Sequence, residues 1–574
     1  MKFSRPVLAH EEIESDQGMV TAQHRNGSEI GAQVLERGGN AVDAAITTAF
    51  AMGVLQPLMN GIGGGGLIVV HMEGGGGGAI DYGMQVPALA RPDTYELDDF
   101  LEPPATTSQR YSHRFSYPRV RENANVEGHT AIATPGTLSG LVEALDKWGT
   151  MSLDQALSPA IRLAEKGFPV GHHLALAVYG SLGHFMKLPA TRAIFCPDGT
   201  PLTTGTSFIQ AAHARSLRHI STDGPDVFYR GEIAQMISDD SAAHGGYLRK
   251  EDLAQYRPIV HEKPMLGSYR GYGMEGVTGT CAGPTVFEIL NIIENFDLSG
   301  LLHGSPELLH LIVEAIKLAV VDRFTFMGDL GLNQPLISTL TSKAYARERA
   351  KTLHRSAATA PRAGDLWSHM ECSMPDAFPA PAGIPLDGAI KEGTTTLTTV
   401  DRARNAVSLT QTNYSFGGVV AGGSGIVMNN GMGWCCPIPG TINSVIPRSR
   451  PLNNMTPMIL LRDGRFYAAL GASGGRRIWT AIVQSIVNHI DCGMSLQEAI
   501  QAPRIHVESD DILMDERLGD GVRAILGDLG HLLELETPSY VSSPYAEPNG
   551  IWADGSVLRS AIYPVAKPSF AAGI

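Results

Sequence analysis

The stretch GTTTLTTVDRARNAVSLTQTNYSFGGVVAGGSGIVMNNGMGWCCPIPG, residues 393–440, decides how the chain is read. Two β-branched runs, TTTLTTV from Thr394 and NAVSLTQT from Asn405, flank the polar segment DRARN. That pattern predicts two strands of a buried hairpin joined by a turn. A glycine-dense loop and the pair Asn429-Asn430 follow. On propensity alone this is a core hairpin, because β-branched residues fit a pleated, covered surface.

Its upstream neighbour adds a chemical reading. Residues 355–392 are rich in Pro and Ala, with Pro361, Pro375, Pro379, Pro381 and Pro385, which suits an exposed and cleavable connection. A strand that starts with threonine behind such a segment becomes a new N-terminus if the chain is cut between Gly393 and Thr394. An N-terminal threonine is self-sufficient in one respect: its hydroxyl is the nucleophile and its α-amine accepts the proton.

Working outward, apolar residues recur along the whole chain in the order of a mixed protein. Met19–Ala22 reads as a strand, and a helix follows through IGAQVLERGG to the stop at Gly38-Gly39. Asn40 is placed to cap a second, mostly apolar and therefore buried helix, NAVDAAITTAFAMGVL. The glycines from Gly61 to Gly78 bracket a strand. No GK[ST] follows them, so a hairpin turning at Gly74–Gly78 is a better reading than a phosphate loop. Residues 137–260 and 284–353 read as helical. Residues 394–565 return to strands, interrupted by the helix RRIWTAIVQSIVNHI. The segment from Glu96 to Gly128 has no apolar period and carries Arg110, Arg114, Arg119 and Arg121. It reads as an inserted surface loop, with the sharper alternative that one arginine meets a substrate carboxylate.

Composition sets limits. The 574 residues are 43% hydrophobic and 18% charged, with 65 glycines, enough for one large core or two to three smaller ones. A net charge of −14 argues against non-specific binding of nucleic acid or anionic membrane. No run approaches the roughly 18 apolar residues of a membrane span. The first 18 residues lack the apolar core of a secretory signal, so the expectation is a cytoplasmic protein. Six cysteines show no CxxC and no zinc spacing, and the histidines show no HExxH, so no metal or organic cofactor is expected.

Many ordered segments resemble the γ-glutamyltransferase family of N-terminal-nucleophile hydrolases, from about Gly18 to His506. They include GMVTAQHRNGSEIGAQVLERGGNAVDAAI, GIGGGGLIVV, ATPGTLSGLVEALDKWGTMSL, YRGYGMEG, EAIKLAVVDRFTFMGD, RPLNNMTPMILLRDGR, GASGGRRI and QAPRIHVE. The resemblance implies an α+β fold, a four-layer α-β-β-α sandwich forming one large intertwined domain. It also implies self-cleavage into a segment of residues 1–393 and one of residues 394–574 that remain associated. Thr394 matches the family's nucleophile, and Thr412 a second threonine that hydrogen-bonds it and assists processing. Gly474 and Gly475 match the pair whose N–H groups form the oxyanion hole. Asn413 lies beside a substrate-contacting asparagine.

Three positions depart from that pattern. Where γ-glutamyl enzymes carry a carboxylate-binding arginine after Asp-Phe or Asp-Tyr, this chain has Gly83. The acidic residue that holds the α-amine is replaced by Trp434, and the serine pair after Arg-Pro-Leu by Asn453 and Asn454. Asparagines still hydrogen-bond a carboxylate, but the loss of both charges weakens the expected recognition of glutamate. Divergent branches such as cephalosporin acylases and oxamate amidohydrolases resemble this pattern. The expected partner is a small-molecule amide. A true γ-glutamyltransferase or glutathione hydrolase with unusual recognition residues, and hence a place in glutathione metabolism, is the second reading. A non-catalytic binding protein is the third. Assembly of identical chains is left open.

Overall fold

A computed structural model describes residues 10–98, 117–331, 333–370, 374–375, 378–381, 393–508, 511–538, 544–565 and 569–574, without the side chains of His184, Asn333 and Asp511. Arg110, Arg114, Cys372 and Pro385, together with residues 382–392 ahead of Gly393, lie outside the described residues.

The predicted hairpin forms as expected: Gly393–Val400 pairs antiparallel with Ala406–Tyr414. Asp401 closes the turn, its carboxylate accepting from the Asn405 N–H at 3.0 Å and the Asn405 amide at 2.8 Å. Both strands are fully buried, which a two-faced covering requires. They sit at the centre of a seven-stranded antiparallel sheet whose order is Phe570–Gly573, Met19–Ala22, Gly393–Val400, Ala406–Tyr414, Gly65–His71, Gly78–Tyr82, Ile259–His261.

A second seven-stranded antiparallel sheet runs Glu14–Ser15, Val557–Ile562, Glu547–Asp554, Arg465–Ser473, Met458–Arg462, Tyr272–Gly276, Met265–Tyr269. The two sheets pack face to face. Even-numbered residues of the hairpin point into that interface: Ser408 Oγ donates to the Leu470 carbonyl at 2.7 Å. A Cβ on Gly471 would stand 2.0 Å from Thr396 Oγ1, so only glycine lets the strands approach this closely.

Odd-numbered residues point the other way, toward helices. Leu397, Val407 and Leu409 join the core beneath the helix Ala41–Leu55, every residue of which is buried. That helix starts at the predicted cap: Asn40 Oδ1 accepts from the Asp43 N–H at 2.9 Å, and Asp43 accepts from the Asn40 N–H at 2.8 Å. Helices Arg25–Glu36, Thr137–Trp148 and Leu153–Lys166 enclose it. On the far side, helices Gly283–Ile293, Pro306–Phe326 and Arg477–Ile490 cover the second sheet with a separate apolar core. Helix, sheet, sheet and helix make the four layers.

Two expectations need amendment. The strand-rich C-terminal part holds more than one helix: Leu496–Gln501 and Asp520–Asp528 flank a small sheet of Ile505–Val507, Asp511–Asp515 and Leu532–Glu536. Asp511–Asp515 and Leu532–Glu536 run parallel, and parallel strands need a crossover, which Asp520–Asp528 supplies. In the inserted loop, Arg121 is exposed and pairs with Glu96 at 2.5 Å, and Arg119 is exposed too, so neither reaches a buried site.

Candidate active site

Thr394 is buried at the edge of the sheet interface, with Thr412 on the neighbouring strand. The pairing slips there: Gly393 faces Tyr414 and Thr395 faces Gln411, so Ala406–Tyr414 carries one extra residue opposite Thr394. Such a bulge re-aims side chains. Thr394 Oγ1 donates to Thr412 Oγ1 at 3.3 Å, and Thr412 Oγ1 in turn donates to the Gly393 carbonyl. The Tyr414 N–H donates to Thr412 Oγ1 at 2.8 Å. One hydroxyl therefore joins the candidate nucleophile to the carbonyl of the bond that would be cut.

The next threonine is held from the opposite face. Thr395 Oγ1 accepts from the Asn60 amide at 2.8 Å and donates to Gln56 Oε1 at 3.3 Å. Gln23 ties the two sheets near the same place, accepting from the Thr396 N–H at 3.2 Å while its amide donates to Ser473 Oγ at 2.5 Å. Ser473 is the last residue of its strand, and Gly474 and Gly475 follow with φ of +127° and +60°. A Cβ on Gly474 would lie 2.7 Å from Ala546 Cα, so both the torsion and the space require glycine. The backbone turns here and exposes consecutive N–H groups, a form suited to a developing oxyanion.

Beside these elements lies a cavity walled by Tyr117, Arg323, Phe324, Tyr414, Trp434, Asn443, Leu452, Asn454 and Arg476. Tyr414 brings it to the threonine pair, and Arg476 brings it to the glycine pair. Trp434 stands 5.1 Å from the Tyr414 ring, and its carbonyl accepts from the Asn443 amide at 2.7 Å. Arg476 is already neutralised: its Nε donates to Glu508 at 2.7 Å, and His506 lies 2.9 Å from the same carboxylate. Burial alone would raise the Glu508 carboxyl, but Arg476, His506 and Arg477 hold it well below the usual range.

The sequence-predicted residues divide. Thr394 and Thr412 come together, and Trp434 and Asn454 line the cavity. Asn453 takes part through its backbone, its carbonyl accepting from Arg323 at 2.7 Å while its side chain accepts from the Met455 N–H. Asn413 does not reach the cavity. It lies on the helix-covered face, and its amide donates to the Pro57 carbonyl at 3.0 Å. Strand alternation separates it from Tyr414. Gly83 is also outside the cavity wall: its N–H donates to Asp81 at 2.7 Å and its carbonyl accepts from Tyr256 at 2.8 Å. Arg450 approaches Asp81 at 3.7 Å and lies against Gly83. Arg323, absent from the sequence-based site, lines the cavity and is buried.

Two stacked sheets under helices, with a threonine at a strand start, define the N-terminal-nucleophile hydrolase class of architecture. The chain belongs to the gamma-glutamyltranspeptidase family, whose model matches residues 27–561. It is 36% identical over 518 residues to the acylase ACY 1 proenzyme of Pseudomonas sp. strain SE83, covering 90% of this chain and 87% of that one. It is likewise 36% identical over 513 residues to the glutathione hydrolase proenzyme of Escherichia coli strain K12, covering 86% and 81%. A crystal structure of cephalosporin acylase from Bacillus halodurans superposes with a TM-score of 0.84 at 26% identity, over 100% of this chain and 98% of that one. The family is one of enzymes, acylases and glutathione hydrolases among them. No described helix is long and apolar enough to cross a membrane.

Proposed function

We propose that the chain cuts itself between Gly393 and Thr394 and then works as a threonine-nucleophile amidohydrolase or acyltransferase. The observation that carries this is the hydrogen-bonded series from Thr394 Oγ1 through Thr412 Oγ1 to the Gly393 carbonyl.

In the precursor, Thr394 Oγ1 attacks the Gly393 carbonyl carbon. Its proton passes to Thr412 Oγ1, which gives its own proton to the carbonyl oxygen, so no strong base is needed. The C–N bond then breaks, the proton goes to the Thr394 nitrogen, and Gly393 is left as an ester on Oγ1. Water opens the ester. The amine so released has a pKa of about 7.7–8 and serves as base near neutral pH.

In turnover the amine takes the hydroxyl proton as Oγ1 attacks the substrate amide. The Gly474 and Gly475 N–H groups hold the oxyanion, and the protonated amine hands its proton to the departing nitrogen. Water or an acceptor amine then releases the acyl group from Thr394. Relatives called proenzymes support the processing step. Because Gly83 and Trp434 lack the charges expected for glutamate, the acyl group differs from γ-glutamyl. The identity to glutathione hydrolases keeps γ-glutamyl transfer as the second reading.

A denaturing gel tests the proposal: 574 residues cut after residue 393 give fragments of 393 and 181 residues, the smaller starting Thr-Thr-Thr-Leu. A chain that stays whole after long incubation would refute it. Turnover of γ-glutamyl-p-nitroanilide that matches glutaryl and oxamate amides would favour the second reading.

A further inference from the structure

Arg323 is 1% exposed, and no carboxylate meets it among the described residues. Its Nη atoms donate to backbone carbonyls of Cys281 at 2.8 Å and Asn453 at 2.7 Å, and to Thr285 Oγ1 at 3.2 Å. Its Nε has no hydrogen-bond partner among those residues. Trp434, 6% exposed, has an indole Nε1 in the same state. Both side chains line one cavity, beside Asn454. Burial pushes the Arg323 guanidinium down to about 10, so it stays charged at neutral pH.

A buried cation without a counter-ion is costly, and so is a buried donor without an acceptor. The other cation in the wall, Arg476, is balanced by Glu508, so the cavity carries net positive charge through Arg323. Glu508 is engaged by Arg476 and His506, which leaves no wall carboxylate to receive an ammonium group. The wall thus offers donors and aromatic faces to a ligand. A zwitterionic end would satisfy only half of itself there; a plain carboxylate would satisfy the donors.

We infer that this cavity binds the far end of the acyl group, and that the preferred substrate is a dicarboxylic acid monoamide without an α-amine. Arg323 takes the free carboxylate, the Trp434 N–H and Asn454 assist it, and the Tyr414 and Trp434 rings flank the methylene chain. The inference rests on the proposed reaction for the position of the scissile amide beside Thr394, but the anion site is testable without turnover.

The binding arm uses the full-length Thr394→Ala chain, which cannot process itself. Glutarate at millimolar concentration is expected to raise its melting temperature, with valerate, acetate and chloride doing so much less. The glutarate shift should shrink with Arg323→Lys and vanish with Arg323→Met. Equal shifts from glutarate and acetate, or a shift that survives Arg323→Met, would overturn the inference.

The kinetic arm compares glutaryl-, valeryl- and γ-glutamyl-p-nitroanilide. One charged hydrogen-bonded contact supports a preference of about 10- to 100-fold in kcat/KM for glutaryl over valeryl. Arg323→Lys should cut that ratio, and Trp434→Phe, which keeps the ring and loses the N–H, should lower it less. A ratio near one in the unsubstituted enzyme, or loss of both activities in equal proportion in Arg323→Lys, counts against the site. Failure of self-cleavage with an intact glutarate shift would refute the reaction and leave the anion site standing.

Discussion

Replacing Thr412 with valine removes one oxygen and keeps the side-chain outline. That oxygen makes three bonds: it accepts from Thr394 Oγ1 at 3.3 Å and from the Tyr414 N–H at 2.8 Å, and donates to the Gly393 carbonyl. At about 1 kcal/mol net for each buried bond, Thr412→Val should cost about 3 kcal/mol of stability. The effect on self-cleavage is separable, because only one of the three bonds strengthens as charge builds on the carbonyl oxygen. Loss of a donor aimed at an oxyanion slows acyl chemistry by about 10²- to 10³-fold. Freshly purified precursor, followed by denaturing gel and intact-mass measurement, should therefore convert in days where the parent needs minutes to hours. Thr412→Ser keeps the oxygen and should process within about tenfold of the parent. If Thr412→Val matured at the parental rate while its melting temperature fell as expected, the hydroxyl would be structural only, and the proton path through Thr412 would be wrong.

Thr394→Ala should give no fragments at all, whereas Thr394→Ser should give the same two fragments more slowly; N-terminal sequencing of the smaller one checks the cut. Gly474→Ala places a Cβ 2.7 Å from Ala546 Cα at a φ of +127°, so acyl transfer should fall while the fold survives with a loss of about 1–3 kcal/mol, read by urea denaturation. His213 is buried with Nδ1 3.2 Å from the Gly425 carbonyl, and burial lowers its pKa to about 4. The unfolded chain binds that proton from pH 6.5 downward and the folded chain does not, so this contribution is complete above pH 6.5 and is lost as pH falls toward 4. Stability curves should steepen there by about 1.4 kcal/mol per pH unit relative to His213→Gln; parallel curves would show that the imidazole stays uncharged for no energetic reason.

Much of the framework was legible because local chemistry and tertiary demand agreed. The threonine-rich runs around DRARN, the Asn40 cap and the glycine turn at Gly75 and Gly76, with φ of +87° and +90°, each signal their structure within a few residues. Asn413 misled because a one-residue bulge and strand alternation decide which way it points, and neither is visible along the chain. Arg323 was hidden for another reason. In EAIKLAVVDRFTF it reads as a polar residue on an apolar helix, and the carbonyls it meets lie 42 and 130 residues away. The small parallel sheet near the C-terminus was missed because its strands, Ile505–Val507 among them, are too short to impose a period.

The order of strands in the two sheets has a consequence for the life of the protein once it is cut. In the first sheet, Met19–Ala22 is clamped between Phe570–Gly573 and Gly393–Val400; in the second, four strands that follow the cut lie between strands that precede it. The halves are laced, so a nicked molecule keeps the dimensions of an intact one until both sheets open together. After that, re-formation is an encounter between two chains, its rate falling with dilution. The uncut chain folds as a single molecule, and the nicked one survives on the slowness of its unfolding.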